Sequence, residues 1–274
     1  MLDVQTYRIR ADADPNRSNL LGVPIGLDSP FKRVRFRMSA YSITTVLSRV
    51  LPGDVARQLV SEMHIFLKRS LYKRSSSRRL ANLDGCRVNI GCGDRPTPGW
   101  INLELRSASN IHFWDCRRGL PFSDNAVNAI YAEHAFEHFE PDTEGKCFLR
   151  ESLRCLRPGG VLRIVVPDAG AYLRAYGRAW DPLASMRQLE ARKEGWRDPW
   201  LGDIYCTQMQ LINAVFRQHG EHKYAYDEET LVLILRQTGF SRVIPQRFGV
   251  SIDPDMAPDS EARKTESLYV DAMK

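Results

Sequence analysis

What most limits the fold of this chain is a repeated pattern between residues 87 and 168: short apolar runs, each too brief for a helix, separated by longer polar or amphipathic stretches. The runs at 87–90, 100–103, 111–114, 129–132 and 161–166 have strand length, whereas 143–156 and 228–238 carry apolar residues at helical spacing. Such alternation predicts an α/β fold built on a mostly parallel sheet. Gly239 supplies a helix C-terminal signal, and 241–248 and 267–273 follow as late strands. Six residues separate Gly93 from Trp100 and five separate Glu104 from Asn110. A helical crossover needs roughly 10–12 residues or more, so the first two connections are predicted to be loops.

The ends of the apolar runs carry the chemistry. The first closes on Asn89-Ile90-Gly91-Cys92-Gly93, where residues without a Cβ bring backbone close to a ligand at the carboxyl edge of the sheet. Glu104 follows the second run, and its carboxylate can accept hydrogen bonds from both ribose hydroxyls. Asp115 follows the third, placed to accept from an adenine amino group, and Glu133-His134 closes the fourth. A dinucleotide site wants a third glycine in Gly-x-Gly-x-x-Gly, and Pro96 stands there instead. That argues against a nicotinamide or flavin pyrophosphate.

Taken as a set, Val88 to Gly93, Pro98-Gly99-Trp100-Ile101-Asn102-Leu103-Glu104, Leu120-Pro121-Phe122-Ser123-Asp124, Glu133-His134-Ala135-Phe136-Glu137-His138 and Leu156-Arg157-Pro158-Gly159-Gly160 through Asp168 resemble the class I S-adenosylmethionine-dependent methyltransferase superfamily. The likeness is to its methyltransferase type 11-like bacterial branch with a Pro-Gly-Trp-Ile-Asn segment. The segment His222 to Leu231 and Gly239-Phe240 extend it. The resemblance implies a Rossmann-like seven-stranded, mostly parallel sheet with an antiparallel last hairpin. It implies S-adenosyl-L-methionine as cofactor, with Gly91, Cys92 and Gly93 near its methionine part, Asn89 near its ammonium, Glu104 at the ribose and Asp115 at the adenine; Glu133 is counted with this cofactor-binding set. Asn89 stands where an acidic residue is often found, and Arg95 replaces a third glycine.

Ahead of this region, residues 1–37 read as a loosely ordered arm, 38–80 as an N-terminal helical extension packed on the sheet, and 81–274 as the methyltransferase domain. Two helical blocks are predicted within 41–71, split by Leu51-Pro52-Gly53-Asp54, with a polar joint from Lys68 to Arg79. In the second block Val55, Leu59, Met63, Phe66 and Leu67 share one face, predicted to cover the sheet where the short crossovers leave it bare. Residues 1–80 carry a net charge of +9 against −3 for the remainder. The arm could therefore make weak contact with an anionic surface, while nucleic acid is disfavoured as acceptor because Glu133-His134-Ala135-Phe136 bears no base-flipping signature. Cysteines 86, 92, 116, 147, 155 and 206 form no Cys-x-x-Cys pair and no zinc-type Cys/His spacing, so neither a metal site nor a disulfide framework is expected. With no basic-then-apolar leader at Met1 to Gln5, a cytoplasmic location is expected.

Methyl transfer from a sulfonium is an in-line displacement governed by positioning, with a base needed when the acceptor is a hydroxyl or ammonium. His134 and His138 are the candidates for that role, and His222 and Tyr224 for acceptor contact. Residues 172–216, with Trp180, Trp196 and Trp200, form an insertion that could cover the acceptor as a lid. The expected acceptor is a small molecule or saccharide, methylated on oxygen or nitrogen. The competing reading is an inactive, cofactor-binding homologue that serves as a partner-binding subunit.

Overall fold

A computed structural model describes residues 45–177, 205–256 and 259–274. Its elements in chain order are α1 (Gly53–Ala81), β1 (Cys86–Ile90), β2 (Ile101–Glu104), β3 (Ile111–Phe113), β4 (Val127–Glu133), α2 (Lys146–Cys155), β5 (Leu156–Pro167), α3 (Ala169–Ala175), α4 (Gln208–Arg217), α5 (Glu228–Thr238), β6 (Arg242–Gln246) and β7 (Ser267–Met273). The strands form one seven-stranded sheet in the order β3-β2-β1-β4-β5-β7-β6. β1 to β5 pair in parallel, and β7 lies antiparallel between β5 and β6. No helix intervenes between β1 and β2 or between β2 and β3, as the short connections require.

Strand periodicity divides the sheet into two unlike faces. Val88, Ile90, Ile130, Ala132, Leu162 and Ile164 pack with Phe148, Leu149, Leu231 and Leu235 of α2 and α5 in the main core. On the other face the register aligns Asn102, Asn89, Tyr131, Arg163 and Asp271 in a row across five strands. That row is polar because a loop, not a helix, covers it. Arg163, 1% exposed, pairs with Asp259 at 2.6 Å and Asp271 at 2.8 Å and donates to the Val250 and Arg247 carbonyls. Arg87 fastens the same β6–β7 connection through Asp253 and Asp255. A buried guanidinium is tolerable only when its donors are matched in this way.

The β6–β7 loop covers this part of the face, while α1, separated by Pro52 from a short helical turn at 45–47, packs at the β3 edge of the sheet. α1 is one helix of 29 residues, and Lys68 to Arg79 continues it rather than forming a joint. Val55, Leu59, Met63, Phe66 and Leu67 are 43–56% exposed, while Ala56 and Val60, one position further on, are buried. One residue is about 100° of helix rotation, so the buried stripe is the neighbouring one. Polar anchors set that rotation: Glu62 pairs with Arg117 at 2.7 Å, and the Lys68 ammonium lies over the Phe113 ring. Leu80 joins the main core. The arm at 1–37 and the three tryptophans of the insertion lie outside the described residues; of that insertion, Tyr172 in α3 packs with Tyr205, Leu211 and Val215 around α4. Among the described residues no helix is long and apolar enough to cross a membrane.

Candidate active site

Strand order reverses between β1 and β4, and an open parallel sheet presents its ligand crevice outside the carboxyl ends of the strands at such a point. A cleft of about 400 Å³ lies there, of a size that suits a small cofactor. Gly91 and Gly93 from the end of β1, Glu104 from β2, Asp115 and Arg117 beyond β3, and His134 and His138 beyond β4 all line it. A second cleft of about 520 Å³, bordered by Lys146, Arg150, Thr230 and Gln237, lies against α2 and α5. None of the strand-end carboxylates lines it.

The two glycines serve different ends. A Cβ at Gly91 would come within 2.7 Å of the Ala135 Cβ, so this glycine lets the β4 end pack against the β1 end. A Cβ at Gly93 would meet nothing within 4 Å, yet its φ of +52° is left-handed. Backbone is thus exposed to open space at the mouth of the cleft. Arg106 holds this turn through the Gly93 carbonyl and Asp94. Glu104 accepts from the Gly93 N–H at 3.1 Å and the Leu105 N–H at 2.6 Å, which fixes its carboxylate while leaving acceptor positions free.

Asp115 is buried and bound by Arg117, accepting from its Nε at 2.8 Å and its terminal nitrogen at 3.1 Å. Arg117 bridges onward to Glu62 of α1, so the far wall of the cleft is a three-residue charge relay reaching the N-terminal helix. Three residues expected at the cofactor line no part of the cleft. Asn89 belongs to the polar face and donates to the Thr97 hydroxyl at 3.0 Å and to the Asn102 carbonyl oxygen at 3.1 Å. Its expected approach to the ammonium is corrected accordingly: strand alternation turns it away. Glu133 accepts from the Tyr131 hydroxyl and the Ser260 N–H, so its carboxylate anchors the covering loop. Cys92 is buried, and burial pushes its thiol up to about 11. Arg117, Arg106 and Glu62 were not anticipated, because nothing in their spacing ties them to a ligand.

Beyond β4 the chain turns sharply. His134 takes a left-handed φ of +49°, rare for a residue with a side chain, and its Nε2 lies 2.8 Å from the Ser267 hydroxyl. Its Nδ1 is 3.4 Å from Glu137 Oε1. The Lys223 N–H donates to the Glu137 carbonyl at 2.8 Å, stitching the 222–226 segment to this turn. His138 and His222 meet edge-on with ring centroids 4.8 Å apart. Burial keeps His138 below its ordinary value of 6.5, so its imidazole is neutral at pH 7, and burial pushes Glu137 up to about 8. His222 and Tyr224 do not reach the main cleft but line a small cavity immediately behind it, with Glu137.

Residues 102–164 match the family described as methyltransferase domain. The chain is similar to solved S-adenosylmethionine-dependent methyltransferases of Mesorhizobium loti (18% identity, 73% of this chain and 96% of that one, TM-score 0.41) and Archaeoglobus fulgidus (14%, 76% and 99%, 0.41). It is also similar to the 1,6-didemethyltoxoflavin-N1-methyltransferase of Burkholderia thailandensis, solved with bound 1,6-didemethyltoxoflavin and S-adenosylhomocysteine (14%, 90% and 93%, 0.39). No curated protein matches the chain. The matched segment runs from β2 into β5 and takes in the cleft-lining residues beyond β2, β3 and β4, but not Gly91 and Gly93. Residues 102–164 thus carry the signature of a methyltransferase domain.

Proposed function

We propose that the protein transfers the methyl group of S-adenosylmethionine to a hydroxyl or amino group of a small-molecule or saccharide acceptor. The observation that carries this reading is the pairing of Gly93 with Glu104 at the switch point: an open left-handed backbone turn donates to the carboxylate that faces the same cleft. In this reading Gly91 and Gly93 border the methionine part, Glu104 accepts from the ribose hydroxyls, and Asp115 acts at the adenine end by holding Arg117. His134 and His138 stand at the acceptor end of the cleft, where a neutral imidazole can receive the acceptor's proton, and His222 and Tyr224 back that end. Incubation with methyl-labelled S-adenosylmethionine and pooled saccharide and small-molecule acceptors tests it by mass spectrometry. Label in an acceptor, dependent on His134 or His138, supports the reading; cofactor binding with no transfer to any pool favours a second one.

That second reading is a cofactor-binding subunit without activity. The exposed apolar stripe from Val55 to Leu67 on α1 favours it, since a surface of that kind suits a protein partner.

A further inference from the structure

Behind the cleft lies a side-chain cluster that methyl transfer as described leaves half explained. Glu137 is 1% exposed, and neither of its carboxylate oxygens has a hydrogen-bond partner among the described residues. One ligand atom from each of Glu137, His138 and His222 lies within 4.8 Å of the others, and His222 Nε2 is 3.9 Å from Glu137 Oε1. Beside them is a cavity of about 10 Å³, the space of one water-sized sphere, lined by Glu137, His222, Tyr224 and Tyr226.

We propose that Glu137, His138 and His222 bind one divalent transition-metal ion of the zinc class at the acceptor end of the cleft. Two imidazoles and one carboxylate suit zinc, cobalt, iron or manganese better than magnesium or calcium, which prefer all-oxygen sites. Ligands of a tetrahedral zinc ion at about 2.1 Å stand about 3.4 Å apart, so closure of the triad around an ion requires side-chain shifts of only about an ångström. One outer contact already has the form such a site needs. His222 Nδ1 lies 2.5 Å from the Val215 carbonyl. A ring N–H given to a carbonyl leaves the opposite nitrogen as a lone pair, which is how ligating histidines are held in their tautomer. Arg263, Glu266 and Glu133 are the other charges felt by Glu137, and His134 touches it directly. The ligands come from two segments more than eighty residues apart in the sequence, which is why no local spacing betrays them.

The role of the ion deepens the methyl-transfer reading and rests on it, whereas its binding does not. His138 then gives its lone pair to the ion instead of serving as a free base. An acceptor hydroxyl on the ion's open position loses its proton to water more readily, its oxygen bonds the methyl carbon, and the carbon–sulfur bond breaks to leave a neutral thioether.

The test is metal analysis of the full, untagged chain dialysed against buffered zinc, together with the visible absorption of the cobalt form, both in the absence of S-adenosylmethionine. One zinc per chain is expected, with a cobalt spectrum of nitrogen and oxygen ligation. Glu137→Gln, nearly isosteric, and His222→Ala each lose at least tenfold in zinc affinity, while the exposed His64→Ala binds as the parent does. No stoichiometric ion in the parent chain, thiolate bands in the cobalt spectrum, or binding that survives both substitutions would overturn the site. Methyl-transfer assays are not part of this readout, so its failure leaves the cofactor reading intact, and the reverse also holds.

Discussion

The two ends of the active-site cleft are built in opposite ways. At the end proposed for the cofactor, Gly91, Gly93, Glu104 and Asp115 occupy consecutive strand ends, each held by a neighbour close in sequence, such as Gly93 to Glu104 or Asp115 to Arg117. At the end proposed for the acceptor, His134, Glu137 and His138 meet His222 across a long stretch of chain, and the Glu137 carboxylate is buried with no hydrogen-bond partner among the described residues. The cofactor end is polar, satisfied and set by backbone geometry. The acceptor end carries unmet polar demand, which a folded protein retains where a ligand or a reaction uses it.

The sharpest break in this comparison comes from the histidines. Exchange of His138 for Ala is expected to lower turnover about 100-fold or more with cofactor affinity changed less than threefold, measured by steady-state kinetics beside calorimetry. Equal turnover would remove His138 from the acceptor chemistry. Next in size is Gly91→Ala, which forces a Cβ into Ala135 at a left-handed backbone position and should cost about 3 kcal/mol in urea unfolding. Gly93→Ala, with open space before it, should cost only about 1 kcal/mol while weakening the cofactor, so the two glycines separate stability from binding.

A smaller effect sharpens the account of the acceptor end through pH. Burial raises Glu137 from 4.5 to about 8 in the fold. Its proton is held by the folded chain and released by the unfolded one in that interval, so its contribution is full below pH 4.5 and lost as pH rises toward 8. In metal-free protein, Glu137→Gln should flatten the decline in stability from pH 5 to 8 by about 3 kcal/mol. Parallel denaturation curves for parent and variant across that range would show that Glu137 carries no such burden.

The same contrast explains what could be read from the sequence. Strand ends are local: an apolar run followed by glycine or a carboxylate shows both element and position, so the sheet, its loop-like first crossovers and the placement of Gly93, Glu104 and Asp115 at the cleft are legible. Asn89 and Glu133 lie away from the cleft because strand alternation places them on the polar face, where Thr97, Asn102 and Ser260 share their hydrogen bonds. The rotation of α1 was illegible for a related reason. Periodicity marks an apolar stripe, but Glu62 and Lys68 decide which stripe turns inward, through partners at Arg117 and Phe113.

In the proposed function the switch-point cleft holds S-adenosylmethionine through Glu104. Calorimetric titration of the parent chain and of Glu104→Ala with S-adenosylmethionine tests it most directly. One site is expected in the parent and at least a tenfold loss in the variant, about 1.4 kcal/mol, with His222→Ala unchanged. No binding to the parent, or equal affinity in parent and Glu104→Ala, would contradict it.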